Sequence, residues 1–194
     1  VLIVKKPTPE GEKQKFRFCI DYRKLNALTK KDRYPIPLIT ETMARLSKAK
    51  VFTKLDIRQA FHRIRLDPVS EDLTTFRTRY GSFKCKLMME GLVNGPAAWQ
   101  KYMNTILMDY LDDFCTAYLD DILIFSEDPL QHTEHVHKVL ERLRAAGLQC
   151  DIKKSEFDVT ETKYLGFIIS TEGIRVDPDK IAVVKYWKQP RTVK

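Results

Sequence analysis

The sequence predicts an α+β fold built around an antiparallel sheet. Runs of β-branched and aromatic residues are mixed with amphipathic helical segments, without the strict βαβα alternation that a parallel sheet requires. Tight turns separate several of these runs, which is typical of hairpins. The 194 residues, 43% of them hydrophobic and 31% charged, suffice for one large domain or two small subdomains.

The elements of the first half follow from alternating apolar residues and from breaks at proline and glycine. Phe16, Phe18 and Ile20 alternate with other residues as in a strand. Pro35 and Pro37 exclude regular structure around them, because proline lacks a backbone donor and restricts its predecessor. The predicted elements are a strand at 1–4, a strand at 16–20, a helix at 40–47, a strand at 51–57, a short helix at 59–64, and a hairpin of 74–80 and 83–88 that turns at Gly81-Ser82.

Longer helices mark the second half. Apolar residues recur at helical spacing over 97–111 and again over 129–146, where Gly147 is the expected C-cap. A hairpin is predicted at 116–125 and a single strand at 164–169. Asp177 as N-cap and Pro178 at the first position predict a last helix.

Composition limits the class of protein. The 34 Lys and Arg against 26 Asp and Glu give a net charge of +8, which suits a polyanionic partner such as nucleic acid without being specific for one. No apolar run approaches the ~18 residues of a membrane span, so none is expected. The start at Val1, with no signal peptide, predicts an internal piece of a longer chain. The four separated cysteines predict buried free thiols in a reducing compartment.

Two adjacent carboxylates, Asp120 and Asp121, stand inside the apolar run 116–125. Charges among buried side chains must be paired or bound to a metal, and a hairpin turn would present both acids at the edge of a site. Hard cations such as Mg²⁺ prefer such oxygen ligands. The alternative is an ordinary Asp-Asp turn on the surface.

Asp56, at the end of the strand predicted at 51–57, offers a third carboxylate. If its strand lies beside the Asp120-Asp121 hairpin, three acids converge and repel one another unless cations neutralise them. Two Mg²⁺ ions about 3.5–4 Å apart would do so and would suit phosphoryl transfer. A strand-end Asp that merely caps a turn is the alternative for Asp56.

Four motifs in order resemble those of reverse transcriptases of Ty3/Gypsy-type long-terminal-repeat retrotransposons, with a fungal element as one source. They are Phe18-Cys19-Ile20-Asp21-Tyr22-Arg23-Lys24-Leu25-Asn26, Leu55-Asp56-Ile57-Arg58-Gln59-Ala60-Phe61-His62, Tyr118-Leu119-Asp120-Asp121-Ile122-Leu123-Ile124-Phe125-Ser126 and Tyr164-Leu165-Gly166-Phe167-Ile168-Ile169-Ser170. The resemblance implies the fingers and palm of a right-hand polymerase with its thumb mostly missing. Fingers would comprise 1–50 and 57–88, palm 51–56 and 89–176, and the start of the thumb 177–194.

That resemblance implies an RNA-directed DNA polymerase that joins a dNTP to a primer 3′-hydroxyl. Asp56, Asp120 and Asp121 would hold two Mg²⁺, with Mn²⁺ as the alternative ion. The residues implied to contact the dNTP are Lys6, Arg17, Gln59, Ala60, Phe61, Glu90 and Gly91, with Phe61 as the steric gate against ribonucleotides. Lys153 or Lys154 would protonate the leaving pyrophosphate, and Tyr164, Leu165 and Gly166 would form the primer grip.

Each of these residues also has an ordinary structural interpretation. Phe61 would be a core aromatic, Lys6 and Arg17 a solvated basic hairpin, and Gly91 part of a loop. Lys153 and Lys154 would be surface lysines, and the primer-grip residues simply a closing core strand.

The implied partners are a primed RNA or DNA template, dNTPs and, in a longer polyprotein, RNase H and integrase segments. No membrane partner is expected. An intracellular location follows, cytoplasmic and particle-associated, with the nucleus as the alternative.

The segment Met89-Glu90-Gly91 departs from the family, which usually has Pro-Phe-Gly or Pro-Gln-Gly there. A carboxylate at Glu90 would repel a triphosphate at a cost of roughly 4 kcal/mol at 4 Å, unless it turns toward Lys84, Lys86 or Arg77. With the short thumb, this favours a second hypothesis, a catalytically inactive nucleic-acid-binding module derived from a polymerase. A two-metal nuclease is disfavoured, because the sequence shows no His or Lys pattern near the acids that would activate a nucleophile.

The segment from His132 to His137 also invites comparison with a zinc site. His132 and His135 could share a helix face, but no further ligand has matching spacing, so a solvated helix start is preferred.

Overall fold

The computed structural model describes residues 1–6, 8, 11 and 13–187. In chain order the elements are β1 (Leu2–Lys5), β2 (Phe16–Cys19), α1 (Arg23–Leu28), α2 (Ile39–Leu46), β3 (Val51–Asp56), α3 (Pro68–Glu71), β4 (Phe76–Thr78), β5 (Gly81–Phe83), α4 (Gly95–Leu107), β6 (Cys115–Tyr118), β7 (Asp121–Ser126), α5 (Pro129–Ala145), β8 (Glu156–Val159), β9 (Glu161–Tyr164), β10 (Phe167–Ser170), β11 (Gly173–Val176) and α6 (Pro178–Lys185), with 3₁₀ turns at Ala60–Arg63 and Asp72–Thr74.

Two compact units divide the described residues. The first comprises the described residues of Val1–Pro35 together with Gln59–Tyr102, and the second comprises Ile36–Arg58 and the described residues from Met103 onward. The first unit contains two antiparallel hairpins, β1-β2 and β4-β5. Phe76 joins them, because its ring packs on Phe18 with centroids 5.5 Å apart and stacks on Phe83 at 5.9 Å.

The second unit holds a four-stranded sheet in the order β6-β7-β3-β8, with every neighbouring pair antiparallel. A second sheet, β11-β10-β9, is also antiparallel. Helix α5 packs on β7 and β3. The apolar core cluster that joins α2, β3, β7 and the second sheet consists of Leu46, Ala49, Phe52, Leu123, Phe125, Tyr164 and Ile169.

The two helix caps predicted in the second unit are present, since Asp177 accepts from the Asp179 amide at the start of α6 and Gly147 ends α5. A third cap was not predicted: the Asp128 carboxylate accepts from the Leu130 amide at the start of α5. Gly147 follows α5 with φ +69°, the left-handed conformation that glycine adopts at helix ends.

One predicted strand and one predicted turn are wrong. The segment 164–169, predicted as a single strand, contains the turn of the hairpin β9-β10, because Leu165 and Gly166 both have positive φ (51° and 81°) and reverse the chain. The turn predicted at Gly81-Ser82 lies instead at Arg79-Tyr80, with Gly81 already paired to Thr78. The short elements α1, α3, β8 and β11 were not predicted, because four to six residues carry too little periodicity.

The four cysteines are free, as predicted, although only Cys115 is fully buried. Among the described residues, no helix combines the length and the apolar character needed to cross a membrane.

Candidate active site

Two strands of the second unit bring the predicted carboxylates together. Asp56 ends β3 and Asp121 begins β7, and the two are direct partners in the antiparallel register. Asp120 lies in the turn before β7, where its carbonyl accepts from the Ile57 amide at 3.0 Å. Leu119, with φ 54°, makes this tight turn possible. The convergence expected from the sequence is therefore present in the backbone register.

The ionised Asp121 carboxylate is in an unfavourable electrostatic environment at this edge of the sheet. Burial raises the pKa of its carboxyl, and the neighbouring charges of Asp120 and Asp56 raise that pKa further. Lys54 and Lys154 act in the opposite direction. Such a carboxylate gains stability from additional positive charge placed beside it.

Lys154 supplies one positive charge at the site. Its ammonium lies 3.1 and 3.3 Å from the two carboxylate oxygens of Asp56. A hydrogen-bonded turn from Asp151 to Ser155 holds the lysine there, since the Lys154 amide donates to the Asp151 carbonyl and the Asp56 amide donates to Ser155 Oγ. The hydrogen bond to Asp56 raises the pKa of Lys154. Of the two candidate lysines, Lys154 is the one in contact with Asp56.

The donor set is suitable for a hard divalent cation, because it consists of carboxylate oxygens at one edge of a sheet. Within 1–6, 8, 11 and 13–187, no three His, Cys, Asp or Glu side chains are already arranged to hold a metal ion. The Lys154 ammonium contacts both carboxylate oxygens of Asp56. A metal cation would be attracted to the same oxygens. The side chains are thus of the chemical type that binds a hard cation, while Lys154 is the charge paired with Asp56 in this structure.

The predicted primer-grip residues form the β9-β10 turn. Tyr164 is only 2% exposed and packs in the core cluster, where burial raises the pKa of its hydroxyl well above the ordinary value. Leu165 and Gly166 make the turn itself. A Cβ at Gly166 would meet only the flexible end of the Lys180 side chain, which can move aside, so glycine is favoured here by its φ of +81°.

In the first unit, Arg17 of β2 contacts Glu90 at 3.4 Å, and both side chains are about half exposed (52% and 50%). Glu90 thus pairs with another residue predicted to bind the nucleotide, and not with Lys84, Lys86 or Arg77. Lys84 instead contacts Glu71 and Asp72. Lys6 follows β1, and its amide donates to the Lys15 carbonyl at 2.9 Å.

Gln59, Ala60 and Phe61 begin the first 3₁₀ turn. Gln59 is left-handed (φ 54°), Ala60 is buried and Phe61 is partly buried. The Phe61 ring lies beside Gly95 and 6.5 Å from the ring centroid of Trp99. The ring is therefore held by packing while part of it stays accessible.

Sequence reasoning gave no role to Asn26, which fixes the loop at Gly91. Its amide nitrogen donates to the Gly91 carbonyl at 2.8 Å, and its oxygen accepts from the Val93 amide at 2.9 Å. Gly91 has φ +96°. The sequence hints at this role only in that Asn26 is the last residue of the motif that begins at Phe18. Asn26 and Gly91 are far apart along the chain.

His132 and His135 share a helix face, as predicted, but the solvated helix start is wrong for His132. Its ring is 1% exposed and lies 2.7 Å from Ser126 Oγ and 2.8 Å from Thr53 Oγ1. His135 contacts the same Ser126 hydroxyl at 2.8 Å and stacks on Phe114. These hydrogen bonds account for both rings without a zinc ion.

Comparison with protein families gives a match over residues 3–169 to the model described as reverse transcriptase (RNA-dependent DNA polymerase). Similar curated proteins are the Pol polyproteins of transposons opus (38% identical over 193 residues) and 297 (40% over 186 residues) from Drosophila melanogaster. The Tf2-3 polyprotein of Schizosaccharomyces pombe is 36% identical over 188 residues. These matches cover 100%, 95% and 97% of this chain but only 19%, 18% and 14% of the relatives.

Solved structures of the foamy viral protease-reverse transcriptase have a similar fold. The complex of the foamy viral protease-reverse transcriptase dRH with double-stranded DNA has a TM-score of 0.86 at 24% identity, over 98% of this chain and 33% of that chain. The complex with an RNA/DNA hybrid has a TM-score of 0.82 at 23% identity, over 98% and 25%. The α+β fold predicted from the sequence, with an antiparallel sheet packed on helices, is confirmed.

Proposed function

This chain belongs to the reverse transcriptase (RNA-dependent DNA polymerase) family, and we propose that it forms the fingers and palm of an enzyme that extends a primer with deoxynucleotides. Its relatives are Ty3/Gypsy-type transposon polyproteins, as the four motifs predicted. They come from a fungus and a fly, so a fungal source stays a prediction. The observation that supports the function best is the pairing of Asp56 with Asp121 across β3 and β7, with Asp120 in the adjoining turn.

Asp56, Asp120 and Asp121 are proposed to hold two Mg²⁺ ions, or Mn²⁺. Bound there, the metals would stabilise the attacking and leaving oxygens of an in-line phosphoryl transfer. Asp121 would lose its unfavourable repulsion, and Lys154 would move from Asp56 to a phosphate oxygen. In that position the Lys154 ammonium could donate a proton to the pyrophosphate leaving group.

The incoming nucleotide is proposed to contact the predicted dNTP-binding residues of the first unit. Arg17 and Lys6 would donate to triphosphate oxygens, and the Gln59 and Ala60 amides would do the same. The Phe61 ring would exclude a 2′-hydroxyl. The double hydrogen bond from Asn26 would keep Glu90 and Gly91 in a fixed loop beside the nucleotide.

The remaining partners follow from the family. The Leu165-Gly166 turn would hold the primer end, with an RNA or DNA template paired to it. The relatives are longer polyproteins, which supports further segments outside this chain. We propose that these include RNase H and integrase and that the location is intracellular and particle-associated. The proposed fingers, palm and thumb keep the boundaries given above; the last part of the thumb segment, 188–194, lies outside the described residues.

A catalytically inactive nucleic-acid-binding module is the second candidate, and the ion pair of Arg17 with Glu90 favours it. Glu90 pairs with the Arg17 guanidinium, which is proposed to bind the triphosphate. The family usually has Phe or Gln at the position of Glu90. The absence of a lysine near the acids no longer argues against a nuclease, because Lys154 lies beside Asp56. The family match nevertheless favours polymerisation.

Primer extension distinguishes these functions. The full-length parent protein is incubated with a labelled DNA primer on an RNA template, Mg²⁺ and all four dNTPs. A polymerase lengthens the primer, a nuclease shortens it, and a binding module retains it at low salt without changing it. If the protein binds primer-template without extending it, and the double variant Met89→Pro, Glu90→Phe also fails to extend it, the binding module is the correct function and the polymerase is not.

A further inference from the structure

Lys54 is a mostly buried lysine in the strand that bears Asp56. It lies two residues before Asp56 in β3, and alternate residues of a strand share a face. Phe52 precedes Lys54 on that face and belongs to the core cluster with Tyr164. Thr53 points to the opposite side, where it contacts His132. The Lys54 side chain is 16% exposed, and it extends toward the second sheet.

The Lys54 ammonium links the two sheets of the second unit. It donates to the backbone carbonyl of Lys163 at 3.0 Å and lies 3.7 Å from a carboxylate oxygen of Glu156. The other Glu156 oxygen accepts from Thr162 Oγ1 at 2.5 Å. Thr162 and Lys163 both belong to β9. One ammonium therefore joins β3 to β9 directly and, through Glu156 of β8, a second time.

This arrangement differs from the surrounding packing in being directional. The apolar packing of the core cluster that holds Phe52 and Tyr164 favours burial but tolerates sliding, because the hydrophobic effect has no preferred direction. A hydrogen bond from an ammonium to a carbonyl weakens steeply when distance or angle changes. A lysine withdrawn from water also needs both partners to replace its hydration. Sliding of β9 along β3 would break these contacts.

We propose that Lys54 is a positioning residue that fixes the Leu165-Gly166 turn relative to the pair of Asp56 and Asp121. The carbonyl it binds belongs to the residue before Tyr164, and Asp56 is two residues away along a strand paired on both sides. The catalytic consequence rests on the proposed function. A primer end held by the turn reaches the carboxylates at a set distance, and an error of about 1 Å can cost about 100-fold in rate.

Amide hydrogen exchange tests the link without requiring activity. In the full-length protein, Lys54→Met keeps the length of the side chain and removes its donors, while Lys54→Arg keeps donors. Lys138→Met removes the same charge from an exposed pair with Glu134 and serves as the control. In Lys54→Met, we expect exchange in 161–170 to accelerate about tenfold while β6 and β7 are unchanged. Unchanged exchange in 161–170, or equal acceleration throughout both sheets, would overturn the proposal.

Single-turnover primer extension tests the positioning role. We expect Lys54→Met to slow incorporation about tenfold with a less than about twofold change in the dNTP concentration for half-maximal rate, and Lys54→Arg to recover most of the rate. Faster exchange in 161–170 with an unchanged incorporation rate would remove the positioning role. A wild-type protein that cannot extend a primer contradicts the proposed function instead, and the exchange measurement still decides whether Lys54 holds the turn.

Discussion

Arg17 and Glu90 meet at the loop where the sequence predicts a nucleotide triphosphate. Both side chains are about half exposed, so their ion pair contributes at most about 1 kcal/mol. That is far below the roughly 4 kcal/mol repulsion expected if Glu90 faced a triphosphate at close range. At a proposed nucleotide site, this ion pair alone would therefore weaken binding only modestly, whereas a Glu90 that faced the triphosphate would weaken it far more.

Replacing Glu90 with Gln should strengthen nucleotide binding. With the competing charge gone, Arg17 is free to donate to the triphosphate, and we expect the dNTP concentration for half-maximal incorporation to fall about fivefold. Single-nucleotide incorporation measured against dNTP concentration checks this. Glu172→Gln, which removes a charge from an exposed turn, is the matched control. An unchanged or higher concentration in Glu90→Gln would mean that Glu90 does not compete for Arg17.

At the scale of elements, α5 is attached to the four-stranded sheet by a chain of polar side chains. The Asp158 amide donates to Thr53 Oγ1, which is bonded to His132, and His132 and His135 share Ser126 Oγ. With both rings neutral, donors and acceptors can alternate from Thr53 to His135. A second proton on His132 would occupy Nε2, so the Thr53 hydroxyl would lose the acceptor for its proton and this order would be disrupted.

This chain of hydrogen bonds should make stability depend on pH. Burial lowers the pKa of His132 and of His135 below the ordinary value of 6.5, with Asp158 opposing this at His132 and Lys138 adding to it at His135. The unfolded chain then binds protons that the folded chain does not. The stabilisation is complete above pH 6.5 and is lost as the pH falls from there toward the lowered pKa values.

Urea unfolding from about pH 8 to about pH 5 measures this dependence. We expect the free energy of unfolding to fall with pH more steeply in the wild type than in His132→Gln. His137→Gln, on the exposed side of the same helix, is the control for the loss of a histidine. Equal slopes in the wild type and His132→Gln would show that His132 is protonated in the folded state as readily as in the unfolded state.

For the whole molecule, the sequence predicted those features that depend on local pattern. The β-prone residues predicted strands β3 and β7, and the adjacent acids predicted the turn at Asp120. The pairing of β3 with β7 is confirmed. The β9-β10 turn was missed because its first residue is Leu165, and a leucine at positive φ is uncommon, so Gly166 stood alone as a turn signal inside an apolar run. The site contacts of Lys54, Asn26 and Lys154 join segments far apart in sequence, and no local pattern reports them.

Asp121, paired with Asp56 across two strands, is proposed to belong to a polymerase site, and substitution of Asp121 tests this proposal most directly. RNA-templated primer extension is compared in the full-length wild type, in Asp121→Asn and in the control Glu172→Gln. We expect Asp121→Asn to lose at least about 100-fold in extension rate while still binding primer-template, because an amide replaces a carboxylate at a metal-binding position. Extension by Asp121→Asn at the rate of the wild type and the control would contradict the account.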